Sequence, residues 1–212
     1  MTKTRTKRKL PKTAHTSRPW RIHDITPDFR IEDLWALPTP GTAQDFPRLV
    51  RLIAEGDTGD NPSWVARLLF RIRWRLGAWL GWDDPDSGIA IRVPTLRERL
   101  PADLRDAPAG PAFETLPFRS VFLTDNEWAA EIVNRTVHGV LHVGWIPDDD
   151  AGRQPAGHRG QMTVLVKPNG LLGRVYMAAI TPFRLLIVYP PLLRGIGKDW
   201  HESTPRNPPA DA

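Results

Sequence analysis

The chain has 212 residues, of which 41% are hydrophobic and 25% are charged, values typical of a soluble globular protein. This length is sufficient for one domain with a sizeable core. The chain contains no cysteine, which excludes disulfides and thiolate chemistry. No uncharged apolar run of about 18 residues predicts a membrane span, and the polar N-terminus is unlike a secretory signal, so we expect a cytoplasmic protein.

The formal net charge of +5 comes mainly from the N-terminus. The first twelve residues contain six basic side chains and no acidic one, so the other 200 residues sum to 5 − 6 = −1. We predict a disordered basic tail over residues 1–17 and a flexible tail over 201–212. The basic tail could touch nucleic acid or anionic lipid, and we expect no specific nucleic-acid partner.

The first third of the chain predicts one strand and several helices. Residues 20–25 alternate apolar and polar side chains and predict the first strand. A short helix is predicted after Pro27, through Trp35, and another over residues 45–55. A longer helix is predicted from residue 64 to about residue 80, with Ser63 as its N-cap. We regard residues 45–83 as an inserted helical region of a single domain spanning residues 18–200.

The predicted helix of residues 64–80 has apolar side chains on two faces. Phe70 and Trp74 lie nearly opposite its main apolar arc, where a surface helix is normally polar. This second face could be buried in the protein, form a homodimer or partner contact, or touch a membrane surface.

The middle of the chain predicts strands joined by short connections. Thr95 is expected to cap a short helix over residues 96–104. Strands are predicted over residues 88–93, 118–124, 128–133, 136–146 and 160–167. Because parallel neighbours would need long crossovers, the last four should form an antiparallel meander.

A long apolar helix is predicted from Gly170 to about residue 189. One stripe comprises Leu172, Val175, Tyr176, Ala179, Phe183, Leu186 and Ile187. We predict that this stripe packs against the sheet, that Pro182 bends the helix, and that Pro190 and Pro191 end or redirect it. The predicted fold is therefore α+β, an antiparallel curved sheet packed on a long C-terminal helix.

Three segments resemble the DUF2867 family of uncharacterised proteins: the run from Gly170 to Pro190, residues 124–128 (TDNEW) and residues 134–138 (NRTVH). The element order is similar to that of the helix-grip fold of the START and Bet v 1-like superfamily. The resemblance implies a cavity for an apolar or amphipathic small molecule between sheet and helix. Some family members carry a short-chain reductase-like domain, but this chain has no Gly-x-Gly-x-x-Gly unit and we expect no cofactor.

His138 and His142 are the first candidates for chemistry. On a strand their Cα atoms lie about 13 Å apart, too far for one zinc ion, so we predict no metal site. The side chains share a strand face with Val140, while the opposite face is more apolar and should lie under the helix. The histidines are then expected outside, with Glu131 in an exposed ion pair. If the faces are reversed, His138, His142 or Glu131 could act as a general base.

Our first functional hypothesis is binding of a small apolar ligand between the sheet and the C-terminal helix. The candidate ligand-binding residues are Trp128, Trp145, Met162, Tyr176, Ala179 and Phe183. A second hypothesis is a cyclase-like or hydrolase-like enzyme acting on such a ligand. A third is a membrane-surface or interaction module that uses the basic tail and the face with Phe70 and Trp74.

Overall fold

The structure is a computed structural model that describes residues 9–56, 94–114, 116–133, 137–148 and 157–203, without the side chain of residue 172. The predicted helix of residues 64–80, with Phe70 and Trp74, and the predicted strand of residues 88–93 lie outside the described residues. Within them the chain is α+β, as predicted, with an open antiparallel sheet and a long C-terminal helix.

Five antiparallel strands form one sheet in the order β1-β5-β4-β3-β2. The strands are β1 (Arg30–Ala36), β2 (Arg119–Leu123), β3 (Glu127–Val133), β4 (Val137–Asp148) and β5 (Gly157–Pro168). Strands β2 to β5 form the meander that the short connections predict. Strand β1, the first in the chain, pairs with β5, the last, so that β1 and β2 form the two edges of the sheet.

The N-terminal third differs from the prediction. Residues 20–25, predicted as a strand, contain the helical turn α2 (Ile22–Ile25), and residues 28–35, predicted as a helix, contain most of strand β1. Ile22 and Ile25 are both fully buried, and their spacing of three suits one face of a helical turn rather than one face of a strand. Residues 13–16, predicted as part of a disordered tail, form the helical turn α1 (Thr13–Thr16), in which His15 is buried.

The short helices flank the sheet. Helix α3 (Phe46–Glu55) confirms the predicted amphipathic helix, with Phe46 and Leu49 among its buried residues. Thr95 accepts a hydrogen bond from Arg97 N and begins a 3-10 turn over Leu96–Arg99, as predicted for a cap. The helical turn α4 (Ala102–Arg105) follows.

Both faces of the sheet are covered. On the first, the helix face, α3 and the end of the C-terminal helix pack on residues that include Trp35, Trp128, Val143, Trp145 and Met162. On the second, the N-terminal face, residues 20–25 and 96–104 pack on residues that include Phe122, Ala129, Val140 and Leu165. A sheet buried on both faces needs apolar side chains on both sides of its strands, which weakens the alternation in the sequence.

The C-terminal helix runs through three segments: α5 (Gly170–Phe183), a π-helical turn (Arg184–Val188) and α6 (Tyr189–Glu202). The predicted end at Pro190 and Pro191 is wrong, because both prolines stand in the first turn of α6, where no amide donor is required. The helix thus continues to Glu202, into the predicted flexible tail.

Five members of the predicted inner stripe of this helix face away from the sheet. Val175, Phe183, Leu186 and Ile187 are exposed, as is Ala179. The inward contacts are made instead by residues that include Met177, Val188, Tyr189, Leu193 and Trp200. Apolar periodicity shows which residues share a face, but a helix that is apolar on two faces does not show which face is buried.

Candidate functional site

His138 and His142 lie on the N-terminal face of the sheet, opposite the C-terminal helix, with Val140 between them. The prediction that the more apolar face lies under the helix is thus confirmed. The expected exposure is wrong, however, since His138 is 1% and His142 0% exposed. The covering residues come from the N-terminus and from residues 96–104, more than 30 positions away in sequence.

Each histidine pairs with a glutamate of the neighbouring strand. His138 Nε2 lies 2.8 Å from Glu131 Oε2, and His142 Nε2 lies 3.0 Å from Glu127 Oε2. In the strand register His138 stands opposite Val133 and His142 opposite Ala129, so both pairs are diagonal and repeat four residues apart. Both carboxylates are buried, so the predicted exposed pair of Glu131 is instead internal.

Glu131 is held by three donors. Its carboxylate accepts hydrogen bonds from the Thr95 hydroxyl and from Leu96 N, as well as contacting His138. Burial acts to raise the pKa of Glu131, but these hydrogen bonds outweigh it and lower the pKa. Phe29 packs edge-on against the His138 ring at 5.0 Å. Among the described residues, His138 Nδ1 has no hydrogen-bond partner.

His142 belongs to a longer chain of rings. Its Nδ1 lies 3.1 Å from His15 Nε2, and His15 Nδ1 lies 3.1 Å from His23 Nε2. At the inner end, Glu127 also accepts hydrogen bonds from Arg21 N at 2.8 Å and Ile22 N at 3.3 Å. We call the four side chains His23, His15, His142 and Glu127 the histidine chain.

The histidine chain favours neutral imidazoles in its outer part. Burial, with the neighbouring His142 and His23, lowers the pKa of His15 to about 3. Burial and His142 also lower the pKa of His23, against the opposing effect of Glu127 and Asp24. A charged imidazolium loses hydration on burial, so the folded protein disfavours protonation at these positions.

His15, His23 and Glu127 were missed in the sequence. His15 stands in the presumed tail, His23 in the presumed first strand, and the contact from His15 to His142 joins residues 127 positions apart. One signal was present: Glu127 and Glu131 share the four-residue spacing of His138 and His142 on the next strand. Matching spacings on paired strands predict repeated cross-strand pairs.

The predicted ligand-binding residues do not form one group. Trp128, Trp145 and Met162 are buried on the helix face, where the indole nitrogens donate to Ser120 Oγ and Thr42 O. Tyr176 is half-buried beside the cluster of Val137, Val166 and Met177. Ala179 and Phe183 are exposed and do not face the sheet, because the helix turns its other side inward. The apolar-ligand cavity stays a prediction.

The exposed side of the C-terminal helix forms a second candidate site. Its large exposed side chains are Leu171, Val175, Phe183, Leu186 and Ile187, with exposed fractions of 71, 59, 48, 75 and 44%. Together with Ala179 they form the outer apolar face. A cluster of this size on a helix marks an interaction surface, whereas single exposed apolar residues need no explanation.

Among the described residues, one helix, Gly173–Glu202, is long and apolar enough to cross a membrane by length and composition. Arg174 and Arg184 interrupt the apolar run of residues 171–193 in the sequence, which is why no membrane span is predicted there. The second half of this helix packs in the protein core, where the ring centroids of Trp200 and Trp145 lie 5.8 Å apart and those of Tyr189 and Trp35 lie 4.8 Å apart.

Arg184 ties the middle of this helix to β1. Its Nη2 lies 3.1 Å from Asp33 Oδ2 and 3.7 Å from Glu32 Oε2. The Tyr189 hydroxyl donates to the same Asp33 oxygen at 2.9 Å, and Lys9 Nζ approaches Asp33 at 3.9 Å. Burial, and then the Asp33 charge, raise the pKa of Tyr189 well above its ordinary value. Tyr189 is therefore a neutral donor at physiological pH.

The fold and these two sites define an α+β protein with a doubly covered antiparallel sheet, an internal layer of histidine–glutamate pairs and an exposed apolar helix face. No group of three or more potential metal ligands converges within the described ranges. Residues 25–191 match the DUF2867 family, described as a protein of unknown function, and the chain belongs to this family. No curated protein and no solved structure matches the chain.

Proposed function

We propose that this protein is a peripheral membrane-binding protein that attaches to anionic lipid surfaces through the outer apolar face. The observation that carries this proposal is the exposure of five large apolar side chains along one side of a single helix. An amphipathic helix lying in the membrane interface places its apolar side about 5–10 Å into the headgroup and acyl boundary.

The attachment is peripheral rather than spanning. Arg184, near the middle of the helix, is 9% exposed and ion-paired with Asp33, and Tyr189 to Trp200 contribute to the core. To span a bilayer the helix would have to leave the sheet and carry Arg184 into hydrocarbon, which is costly. Lying on the surface needs no such change, because the outer apolar face is already free of the sheet.

The charges of the helix favour anionic lipid as the occupant. From residue 169 to residue 198 the sequence contains no Asp or Glu. Arg174, Arg194 and Lys198 are exposed along this stretch. The first twelve residues add six more basic side chains. Each Lys or Arg near an anionic surface contributes about 1 kcal/mol to membrane attraction.

Vesicle co-sedimentation tests this proposal. The full chain is expected to sediment with vesicles of phosphatidylcholine and phosphatidylglycerol, and much less with phosphatidylcholine alone. Replacing Leu171 and Leu186 by serine should abolish sedimentation, since both side chains are more than 70% exposed. Reversing Arg174 and Arg194 to glutamate should weaken it, most strongly at low salt.

The matched control is the double reversal Arg51→Glu and Arg119→Glu, which changes the net charge equally at two exposed positions on α3 and β2. It is expected to retain most of the binding. Failure of the wild-type chain to sediment, or a dimer in analytical ultracentrifugation that the serine substitutions dissociate, would overturn the proposal. The second result would assign the face to another copy of the chain.

We also propose, at the level of fold, that the chain belongs to the helix-grip superfamily. Two features support this placement. The first strand, β1, pairs with the last strand, β5, and the C-terminal helix that follows β5 packs on the helix face. An experimental structure with a different strand order would contradict this placement.

A further inference from the structure

The hydrogen bonds of the histidine chain all run in one direction, which Glu127 sets at the inner end. Glu127 is held by Arg21 N, Ile22 N and His142 Nε2, and an ionised carboxylate can only accept hydrogen bonds. His142 must therefore carry its proton on Nε2. A neutral imidazole has one donor and one acceptor, so its Nδ1 accepts from His15 Nε2.

The same reasoning continues outward. His15 donates through Nε2, so its Nδ1 accepts from His23 Nε2, 3.1 Å away. His23 then presents an unprotonated Nδ1 at the outer end of the chain. His23 is half-buried, whereas His15 and His142 are fully buried, so protons reach the chain from the His23 end.

We infer that His23, His15 and His142 form a one-proton binding site, which takes up a proton at His23 and passes its charge inward toward the Glu127 carboxylate. An excess proton on His23 Nδ1 leaves all three contacts intact. When the N–H bond on His23 Nε2 breaks and its proton moves to His15 Nδ1, the positive charge moves one ring inward. The next transfer, from His15 Nε2 to His142 Nδ1, places an imidazolium beside Glu127.

A second excess proton has no place in this chain. Three ring-to-partner contacts need three hydrogens, and one more hydrogen occupies the outer nitrogen. Any further proton on the rings places two N–H groups opposite each other across a contact of about 3 Å, so that contact breaks. The three histidines therefore take up one proton together, whereas three independent histidines would take up three.

The charged surroundings of the histidine chain are few among the described residues. Asp24 and Arg21 lie beside His23 on the same segment, and Arg21 pairs with Asp24 and with Asp103 of α4. From the sheet, His142 contacts His15, and Glu127 acts electrostatically on His23. Trp20 packs edge-on against His142 at 5.2 Å and shields it from solvent. Glu127 is thus the carboxylate that receives the charge.

Nitrogen-15 NMR of the histidine rings in the full chain tests the inference. At pH 7.5 all three rings should be Nε2–H tautomers. In Glu127→Gln, the new amide can donate to His142 Nε2 while its oxygen accepts from the backbone. All three rings are then expected to switch to Nδ1–H, because each ring dictates the tautomer of the next.

Glu131→Gln is the matched control, since it makes the same change at the other histidine–glutamate pair. It should alter His138 only. On lowering the pH, the three wild-type rings should shift together with one midpoint and gain one proton in total. His15→Gln, which interrupts the histidine chain, should leave His142 as Nε2–H and make His23 titrate independently. This variant tests the inference if Glu127→Gln does not fold.

Two results would overturn the inference. The first is an unchanged His15 or His23 tautomer in folded Glu127→Gln. The second is separate titration of the three wild-type rings, with more than one proton gained while the rings stay in contact. Neither result depends on vesicle binding, so this inference and the proposed membrane attachment can fail separately.

Discussion

Arg184 lies 3.1 Å from Asp33, and this buried ion pair fastens the π-helical turn of the C-terminal helix to the edge strand β1. Asp33 is 2% exposed and also accepts the Tyr189 hydroxyl. Because the helix is apolar on two sides, burial alone would not choose between them. The ion pair selects the side that carries Met177 and Val188, and thereby leaves the outer apolar face exposed.

Removing one partner of this pair should be strongly destabilising. Among the described residues, Arg184→Leu leaves the buried Asp33 with Tyr189 and the more distant Lys9, and we expect a loss of about 3–5 kcal/mol in the free energy of unfolding. Replacing both Arg184 and Asp33 by leucine should cost less than the single change, because no uncompensated charge remains. Urea unfolding measures both, and a double substitution that costs as much as Arg184→Leu or more would contradict the role given to the uncompensated Asp33 charge.

Stability should fall as the pH drops below neutrality. The unfolded His15 protonates near pH 6.5, but the folded protein holds its pKa at about 3, so protons bind preferentially to the unfolded chain. Between pH 7.5 and 5.5 His15 alone should lower the free energy of unfolding by about 1.4 kcal/mol. The decline continues until the pH approaches 3. Urea titrations at the two pH values should show a smaller difference for His15→Gln, and an unchanged difference would contradict the assignment.

Truncating a side chain should destabilise the protein much more on the inner side of the C-terminal helix than on the outer side. Leu186 is 75% exposed, and Leu186→Ala is expected to change the free energy of unfolding by no more than about 0.5 kcal/mol. Leu193 is 2% exposed in the main core, and Leu193→Ala should cost about 2–5 kcal/mol. Thermal and urea unfolding compare the two. A large loss at Leu186 would mean that the outer apolar face is covered in solution.

Two glycines provide a matched pair of backbone substitutions. A Cβ at Gly144 would lie 2.7 Å from the Trp20 ring, so Gly144→Ala should displace Trp20 from His142 and cost about 1–3 kcal/mol. Gly195, inside α6, has no atom within 4 Å of an added Cβ. Gly195→Ala should raise stability by about 0.5–1 kcal/mol. Tryptophan fluorescence during urea unfolding reports both changes, and a stabilised Gly144→Ala would refute the packing of Trp20.

The sequence predicted the sheet better than its surroundings. Strands β2 to β5 follow from period-two patterns and short connections, which are local properties. The burial of His142 depends on His15, which lies 127 positions away, and no local pattern carries that contact. The outward direction of Val175 and Phe183 was missed for a similar reason, since it depends on an ion pair with Asp33 on another element. Spacing predicted which residues lie side by side, but not what covers them.

The π-helical turn at Arg184–Val188 also sets the phase between the two halves of the long helix. A wider turn holds more residues, so the half that follows begins at a rotation that an unbroken α-helix would not reach. One residue corresponds to about 100° of rotation. Closing this turn to regular α-helical geometry with every residue kept would therefore swing Leu193 and Trp200 off the sheet while α5 stayed in place, and the C-terminal half could no longer anchor the half that carries the outer apolar face.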